Sequence, residues 1–215
     1  MKKNIKGALV ATLICLLPIA VGLALYGRLP QQMPTHWNIH GQVDGYSSKA
    51  FAVFGLPLLL AGINLLVWFG LNSDPKRRNI GKAVWYIGLY TAPVISVLMS
   101  SVTYLWALGY TQIPVDSVVM ALVSVVFIAV GNYLPKCRQN YTSGIKLPWT
   151  LNDEENWNKT HRMAGPLWMV CGVLMLANIF LKQEWLLLAG IFAAAFAPMV
   201  YSYLLFRKKQ KGEEE

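Results

Sequence analysis

Long apolar stretches dominate the chain, and the segments between them carry nearly all of its charge. The six stretches cover residues 7–27, 51–71, 83–107, 116–134, 163–181 and 185–206. Each is close to the ~20 residues that a helix needs to cross the hydrocarbon core of a bilayer. The pattern predicts an all-α integral membrane protein with six transmembrane helices.

Basic residues are distributed unevenly among the connecting segments. Of the chain's 19 lysines and arginines, all but Arg28, Lys49 and Lys182 lie in the two ends, in 72–82 or in 135–162. Cytoplasmic segments of membrane proteins carry an excess of lysine and arginine. We therefore predict that both termini and the loop 135–162 are cytoplasmic, and that the loop 28–50 faces outside.

Composition supports the membrane assignment. Hydrophobic residues make up 55% of the chain and charged residues 13%, whereas a soluble domain carries roughly 25% charged residues. A lipid-facing surface accounts for the excess of apolar side chains. The net charge of +9 comes from lysines and arginines at the ends of the apolar stretches. These residues do not alternate with aromatic residues as in a groove that binds single-stranded nucleic acid, so we expect no direct nucleic-acid binding.

The interiors of the apolar stretches contain no ionisable Asp, Glu, Lys, Arg or His. Such residues usually mark ion paths and supply the acids and bases of catalysis, so their absence weighs against an ion-coupled transporter and against chemistry at membrane depth. Asn64 and Asn178 are the interior polar groups, and we expect interhelical hydrogen bonds from them, with a ligand contact as the alternative. Cys15, Cys137 and Cys171 lack metal-ligand spacing and are interpreted as structural or incidental thiols.

The outer loop 28–50 contains His36 and His40, four residues apart, with Asp44 four residues further on. On a helix these side chains would share a face and could hold zinc. A preceding proline and the interrupting Gly41 disfavour a helix, and the spacing lacks the glutamate that a zinc protease uses as its base. These three residues are therefore weak metal candidates, and no cofactor is predicted.

We instead expect a compact outer loop. His36, Asn38 and Asp44 would satisfy backbone groups, while Trp37 and Tyr46 would lie at the membrane interface. The loop is also the expected first contact for a ligand that arrives from outside.

The loop 135–162 is rich in Pro, Trp, Gly and both signs of charge. Connections of ordinary length have about 4–6 residues, and disordered segments are poor in aromatic residues, so the loop is predicted to be a folded functional element. Asn152 or Asp153 is expected to cap a helix with Glu154 and Glu155 in its first turn. The bases of the loop either bind lipid phosphates or only set the topology, and both interpretations stay open.

The segment 132–162 contains a distinctive set of residues, namely Asn140, Gly144, Ile145, Lys146, Pro148, Trp149, Thr150, Leu151, Glu155, Trp157, Thr160, His161 and Arg162. Together they resemble the signature of the SdpI family, which comprises bacterial immunity proteins against a secreted sporulation-delaying peptide toxin. The segment 29–49 is similar to the uncharacterised amino-terminal domain that often precedes this signature. One departure is Lys146-Leu147, where the family commonly has Arg-Thr, which keeps the charge and loses a hydroxyl.

The resemblance implies a multi-pass protein of the bacterial plasma membrane, without enzyme activity, that protects against a membrane-damaging peptide. The implied partners are a peptide toxin, membrane lipids and, for some members, a cytoplasmic transcriptional repressor that is sequestered for signalling. His36, Trp37, Asn38, Asp44 and Tyr46 are then candidate toxin contacts, and the signature is a candidate docking site for a regulator or lipid headgroups.

We expect two units along the chain. Residues 1–82 would form a two-helix unit with the outer loop 28–50, and residues 83–215 a four-helix unit with the loop 135–162. The alternative function is a metal-dependent membrane enzyme or a lipid-binding protein that uses His36, His40 and Asp44.

Overall fold

The computed structural model describes residues 5–213, and these are mostly helical. The longer elements are α1 (Ile5–Leu25), β1 (Gln32–Trp37), β2 (Val43–Ser48), α2 (Leu56–Ser73), α3 (Lys82–Ala107), α4 (Val115–Tyr133), α5 (Pro148–Asn152), α6 (Glu154–Leu181) and α7 (Glu184–Glu213). One π-helical turn (Phe51–Gly55) leads into α2, and short 3-10 turns cover Arg77–Asn79 and Leu134–Lys136.

Between residues 5 and 213, six helices are long and apolar enough to cross a membrane, as the hydrophobic pattern predicted. Two of them reach well beyond the predicted apolar stretches: α6 begins at Glu154 rather than at 163, and α7 continues to Glu213 rather than ending at 206. Both extensions have a polar sequence. A helix can continue beyond its apolar stretch, because its backbone hydrogen bonds and caps do not require apolar side chains. The extra turns of α6 lie within the loop 135–162, and the extra turns of α7 contact that loop through Lys209 and Asp153.

The loop 28–50 departs from the all-α prediction. It contains an antiparallel two-stranded sheet in which Gln32 pairs with Ser48 and Trp37 with Val43, with an irregular register between Pro34 and Trp37. The turn is organised by the side chain of Asn38, whose Oδ1 accepts the N–H groups of His40 and Gln42, each at 3.0 Å. An Asn side chain that bonds the backbone two residues on is a common turn former.

One compact unit comprises the described part of Met1–Asn72 together with Tyr86–Val118. Its core below the hairpin contains Leu29, Met33, Val53 and Tyr104. Asn64 on α2 is buried and donates to the hydroxyl of Thr12 on α1, with 3.2 Å between Nδ2 and Oγ1. The predicted interhelical hydrogen bond of Asn64 is therefore confirmed.

The second compact unit comprises Ser73–Trp85 and the described part of Val119–Glu215. Here α4 and α6 approach closely at Gly131 and Gly165: a Cβ on Gly131 would lie 2.8 Å from the Gly165 carbonyl oxygen. Small residues allow such backbone contacts between membrane helices.

The prediction for Asn178 is wrong. Its Oδ1 accepts the N–H of Gln183 at 2.9 Å, in the connection between α6 and α7 that follows the left-handed Lys182. The Asn178 side chain thus satisfies a backbone N–H of this connection.

The division of the chain into units 1–82 and 83–215 remains a prediction. By packing, the part of α3 from Tyr86 onwards belongs with α1 and α2.

Candidate functional sites

The signature segment, defined as residues 132–162, folds around its own polar and aromatic side chains. Five of its predicted site residues are at most 1% exposed, namely Asn140, Thr150, Trp157, Thr160 and His161. Buried polar groups must find hydrogen-bond partners, so each of these side chains fixes part of the loop path.

Asn140 shapes the first turn of the segment. Its Oδ1 accepts the N–H groups of Thr142 at 3.0 Å and Ser143 at 2.7 Å. Its Nδ2 donates to the carbonyl of Arg138 at 2.8 Å. The side-chain amide of Asn140 therefore supplies the hydrogen bonds that backbone groups supply to one another in a helix or strand, as Asn does in many turns.

Gly144 and His161 form the centre of the segment. The backbone of Gly144 has φ +101°, and a Cβ there would lie 2.5 Å from His161 Nε2. His161 Nε2 accepts the N–H of Ile145 at 2.9 Å, and its Nδ1 lies 2.8 Å from the Trp157 carbonyl. These partners assign a neutral ring with the proton on Nδ1.

The ring of Trp157 packs against the ring of His161. The two rings stack with centroids 4.1 Å apart, and the indole N–H donates to the Cys137 carbonyl at 2.7 Å. Trp157 thereby joins the start of the segment to α6, and we infer that its role is to keep these two parts of the segment together.

Thr150 fixes the start of α5. Its Oγ1 accepts the N–H of Leu147 at 2.9 Å and lies 2.9 Å from the Ile145 carbonyl, to which it donates. Pro148 occupies the beginning of this short helix, where a missing N–H is tolerated.

Asp153 caps α6, which resolves the choice between Asn152 and Asp153. Its Oδ1 accepts the N–H groups of Glu155 at 2.9 Å and Asn156 at 3.2 Å, while Lys209 on α7 donates to Oδ2 at 3.0 Å. Burial alone would raise the pKa of Asp153, but the bonds from Lys209, Asn156 and Glu155 together lower it. The carboxylate is thus held in its charged form at the positive end of a helix.

The signature residue Trp149 packs on α7. Its Nε1 donates to Ser202 Oγ at 2.8 Å, and its ring stacks on Phe206 with centroids 5.9 Å apart. From α6, Asn156 Nδ2 donates to the Ser202 carbonyl at 2.8 Å, and Thr160 Oγ1 donates to Asn156 Oδ1 at 3.1 Å. The segment is therefore fastened to α7 by hydrogen bonds as well as ring contacts.

Two residues that fix the path of the signature segment were not predicted from the sequence. Asp74, 5% exposed, accepts the N–H of Tyr141 at 2.9 Å and the hydroxyl of Thr142 at 2.7 Å. Gln139 donates to the carbonyls of Thr150 and Leu151 at 3.0 and 2.9 Å. The only available signal for Asp74 was an isolated acid before a proline in an otherwise basic connection.

The exposed members of the signature form a different group. Lys146 and Arg162 present charge at the surface, and Lys146 Nζ donates to the Thr142 carbonyl at 2.9 Å. Glu155 pairs with Lys159 one turn later at 2.6 Å. Because these side chains support little of the loop path, they are the ones open to a partner.

Cys137 and His161 do not form a nucleophile and base. Burial raises the pKa of Cys137, against hydrogen bonds with Ser143 and Asn140 that lower it. Both ring nitrogens of His161 bond backbone groups. A thiol activated for attack needs the opposite: a lowered pKa and an available base.

The hairpin brings together His36 and Asp44, with Nδ1 and Oδ1 2.5 Å apart and side chains 72% and 43% exposed. Tyr46 is 63% exposed, whereas Trp37 packs edge-on against Trp106 with ring centroids 5.9 Å apart. Trp37 is half-buried, and its contact with Trp106 anchors the hairpin. Between residues 5 and 213, His40 completes no group of three His, Cys, Asp or Glu side chains that could hold a metal ion.

Comparisons with known proteins agree with both resemblances. Residues 136–202 match the SdpI/YfhL protein family, and residues 13–61 match a domain of unknown function, DUF1648. The chain is 26% identical over 211 residues to "Immunity protein SdpI" of Bacillus subtilis (strain 168), covering 97% of this chain and 98% of that protein. No solved structure matches. The chain is therefore a multi-pass bacterial membrane protein that is similar to an immunity protein over nearly its whole length, with a DUF1648 match ahead of its SdpI/YfhL match.

Proposed function

We propose that this protein is a membrane immunity protein that protects its cell against a secreted antimicrobial peptide. The observation that carries the proposal is the similarity to an immunity protein along nearly the full length of both chains. The shared region includes the hairpin and the signature segment, so the relation is not confined to generic apolar helices.

In this proposal both termini and the signature segment are cytoplasmic, and the hairpin is outside. The support is the positive excess in the segments that would face the cytoplasm. A peptide that arrives from outside would then meet the hairpin first.

The outer contact would use the exposed face of the hairpin, which carries His36, Asp44 and Tyr46. Exposed tyrosine is a common anchor at protein interfaces, and the His36–Asp44 pair adds polar partners. Asn38 and Trp37 would act indirectly, since the first shapes the turn and the second holds the hairpin on Trp106.

The inner contact would use the signature segment as a rigid docking surface. Its buried hydrogen bonds keep one loop shape, and its exposed Lys146, Arg162 and Glu155 would face a cytoplasmic transcriptional repressor or lipid headgroups. A preorganised surface loses less entropy on binding than a flexible loop.

We also infer two sequence units, 1–82 and 83–215. The DUF1648 match at 13–61 falls in the first, and the SdpI/YfhL match at 136–202 falls in the second.

Expression in toxin-sensitive Bacillus cells tests the proposal. Cells with the full-length chain should survive a toxin-producing culture, and His36→Ala and Tyr46→Ala should weaken protection without lowering the amount of protein in the membrane. The matched control is Gln32→Ala, an exposed hairpin residue outside the proposed contact.

The outcomes separate the two parts of the proposal. Survival equal to that of empty-vector cells, with protein present in the membrane, would overturn immunity. Full protection by both variants would overturn the hairpin contact and leave immunity standing.

A further inference from the structure

Two short segments of the second compact unit carry a group of exposed basic side chains. The connection between α2 and α3 contributes three of them and the start of the signature segment contributes two. We call this group the basic patch, and it consists of Arg77, Arg78, Lys82, Lys136 and Arg138. Between residues 5 and 213, none of the five forms an ion pair or a side-chain hydrogen bond. Their charges and donors are therefore available to a partner.

Hydrogen bonds hold the two segments together. Asn79 Nδ2 donates to the Gln139 carbonyl at 2.8 Å, and Arg78 and Arg138 are the residues immediately before these two. Lys76 Nζ donates to Oε1 of the same glutamine. The two arginines of the patch therefore come from segments whose backbones are joined at one junction.

A second contact joins the two segments close to the ends of the membrane spans. Gly81 lies against the hydroxyl of Tyr133, so that a Cβ on the glycine would clash with it. The charge of Arg138 acts on the same hydroxyl. Lys82 is the first residue of α3, and Lys136 is the last residue of the helical span Val115–Lys136. Bases at the ends of spans lie at the level of the lipid headgroups.

The acid of the connection does not neutralise the patch. Asp74 is 5% exposed and accepts the N–H of Lys76 at 2.7 Å, the N–H of Tyr141 at 2.9 Å and the hydroxyl of Thr142 at 2.7 Å. Lys76, in the same connection, balances its charge and is not counted in the patch.

The acids of the signature segment leave the patch with a positive excess. Asp153 pairs with Lys209 at 3.0 Å, and Glu155 pairs with Lys159 at 2.6 Å. Glu154 is the remaining acid of residues 132–162, so one acid without an ion pair stands against the five bases of the patch. An excess of one sign of charge on a surface attracts partners of the other sign.

We propose that the basic patch binds the phosphates of anionic phospholipids at the surface of the membrane. The guanidinium groups of Arg78 and Arg138 can each hold two phosphate oxygens. A lipid suits the patch better than an acidic protein does, because Lys82 and Lys136 are end residues of spans and lie at the depth of the phosphates. The proposal does not depend on immunity or on which side of the membrane the patch faces.

Titration of the full-length protein in a neutral detergent with dihexanoyl-phosphatidylglycerol, followed by native mass spectrometry, tests the patch. Dihexanoyl-phosphatidylcholine, which has no net charge, should bind at least about tenfold more weakly. The double variant Arg78→Gln/Arg138→Gln should weaken binding of phosphatidylglycerol about 30-fold, since each basic residue near anionic headgroups contributes about fivefold.

Two further double variants separate the patch from net charge and from folding. Lys159→Gln/Lys182→Gln removes the same charge elsewhere, because Lys159 is already paired with Glu155 and Lys182 follows the far end of α6. This control should change binding less than about twofold. Arg78→Lys/Arg138→Lys keeps both charges and should bind within about threefold of the wild type.

Each contrary result would overturn the proposal. These results are equal binding of the two lipids, equal losses for the two glutamine double variants, and a loss for the lysine double variant as large as that for its glutamine counterpart. Inorganic phosphate or polyglutamate at the same concentration of charge should not displace the lipid. Displacement by phosphate would indicate a site for free anions instead, and displacement by polyglutamate would indicate a docking surface for an acidic protein.

Discussion

Several signature residues act by holding the loop rather than by meeting a partner. Asn140, Thr150, Trp157 and His161 are fully or almost fully buried, and their polar atoms bond backbone groups of the same segment. A recurrent sequence motif can therefore record a shape requirement. The exposed Lys146 and Arg162 are better candidates for direct contact.

Gly144→Ala should strongly destabilise the signature segment. At φ +101° a side chain is strained by about 1–3 kcal/mol, and the new Cβ would also lie 2.5 Å from His161 Nε2 and 2.9 Å from Trp157 Cζ2. Overpacking of this kind costs about 1–3 kcal/mol more. The measurement is the apparent melting temperature of the purified protein in detergent.

Gly109→Ala is the matched control for that substitution. Gly109 has φ +98°, but nothing lies within 4 Å of a Cβ there. We expect a clearly smaller drop in melting temperature, and equal drops for the two variants would contradict the role given to the Gly144–His161 contact.

At the scale of elements, capping decides where α6 begins. Asp153 accepts two N–H groups of its first turn, and the helix then runs from Glu154 through polar residues into the apolar stretch. The predicted apolar boundary at 163 marks a change of environment for this helix and not its start.

Asp153→Ala should lower stability by about 0.5–2 kcal/mol, the usual cost of losing an N-cap. Asp153→Asn should stay within about 0.5 kcal/mol of the wild type, because Asn also caps and the partly exposed pair with Lys209 contributes little. Denaturant unfolding in detergent, read by tryptophan fluorescence, distinguishes the two variants.

The effect of acid follows from the lowered pKa of Asp153. The ionised carboxylate favours the folded state above the unfolded pKa of about 3.9, and this contribution is lost as the pH falls through the folded pKa. The difference between wild type and Asp153→Asn should therefore shrink in acid. Equal stabilities of the Ala and Asn variants at neutral pH would argue against the cap.

At the scale of the whole molecule, the charge distribution predicts that the hairpin and the signature segment face opposite sides of the membrane. Tyr46 and Tyr141 are suitable reporters, because their side chains are 63% and 50% exposed. Each is replaced by cysteine in turn.

In intact cells a membrane-impermeant maleimide should label Tyr46→Cys and not Tyr141→Cys, and permeabilisation should expose the second. The unmodified chain is the control, since Cys15, Cys137 and Cys171 are all buried. Labelling of Tyr141→Cys in intact cells would reverse the proposed orientation.

Much of the helical fold was predictable because membrane burial is a local property of sequence. A stretch of about 20 apolar residues must be helical in lipid, whatever its neighbours are. The hairpin was harder to predict, since Pro34, Gly41 and Gly45 obscure any alternation of polar and apolar residues. The contact of Trp37 with Trp106 joins residues far apart in the chain, so the local pattern does not show it.

The sequence alone determined the membrane class, the six spanning helices found between residues 5 and 213, and the similarity to the SdpI/YfhL family, because these depend on composition along the chain and on short motifs. Only the tertiary structure decided what the motif residues do. Asp74 meets Tyr141 and Thr142, and Lys209 meets Asp153, across long separations in the chain. A hydrogen bond depends on the final positions of two atoms, and those positions arise only when the helices have packed.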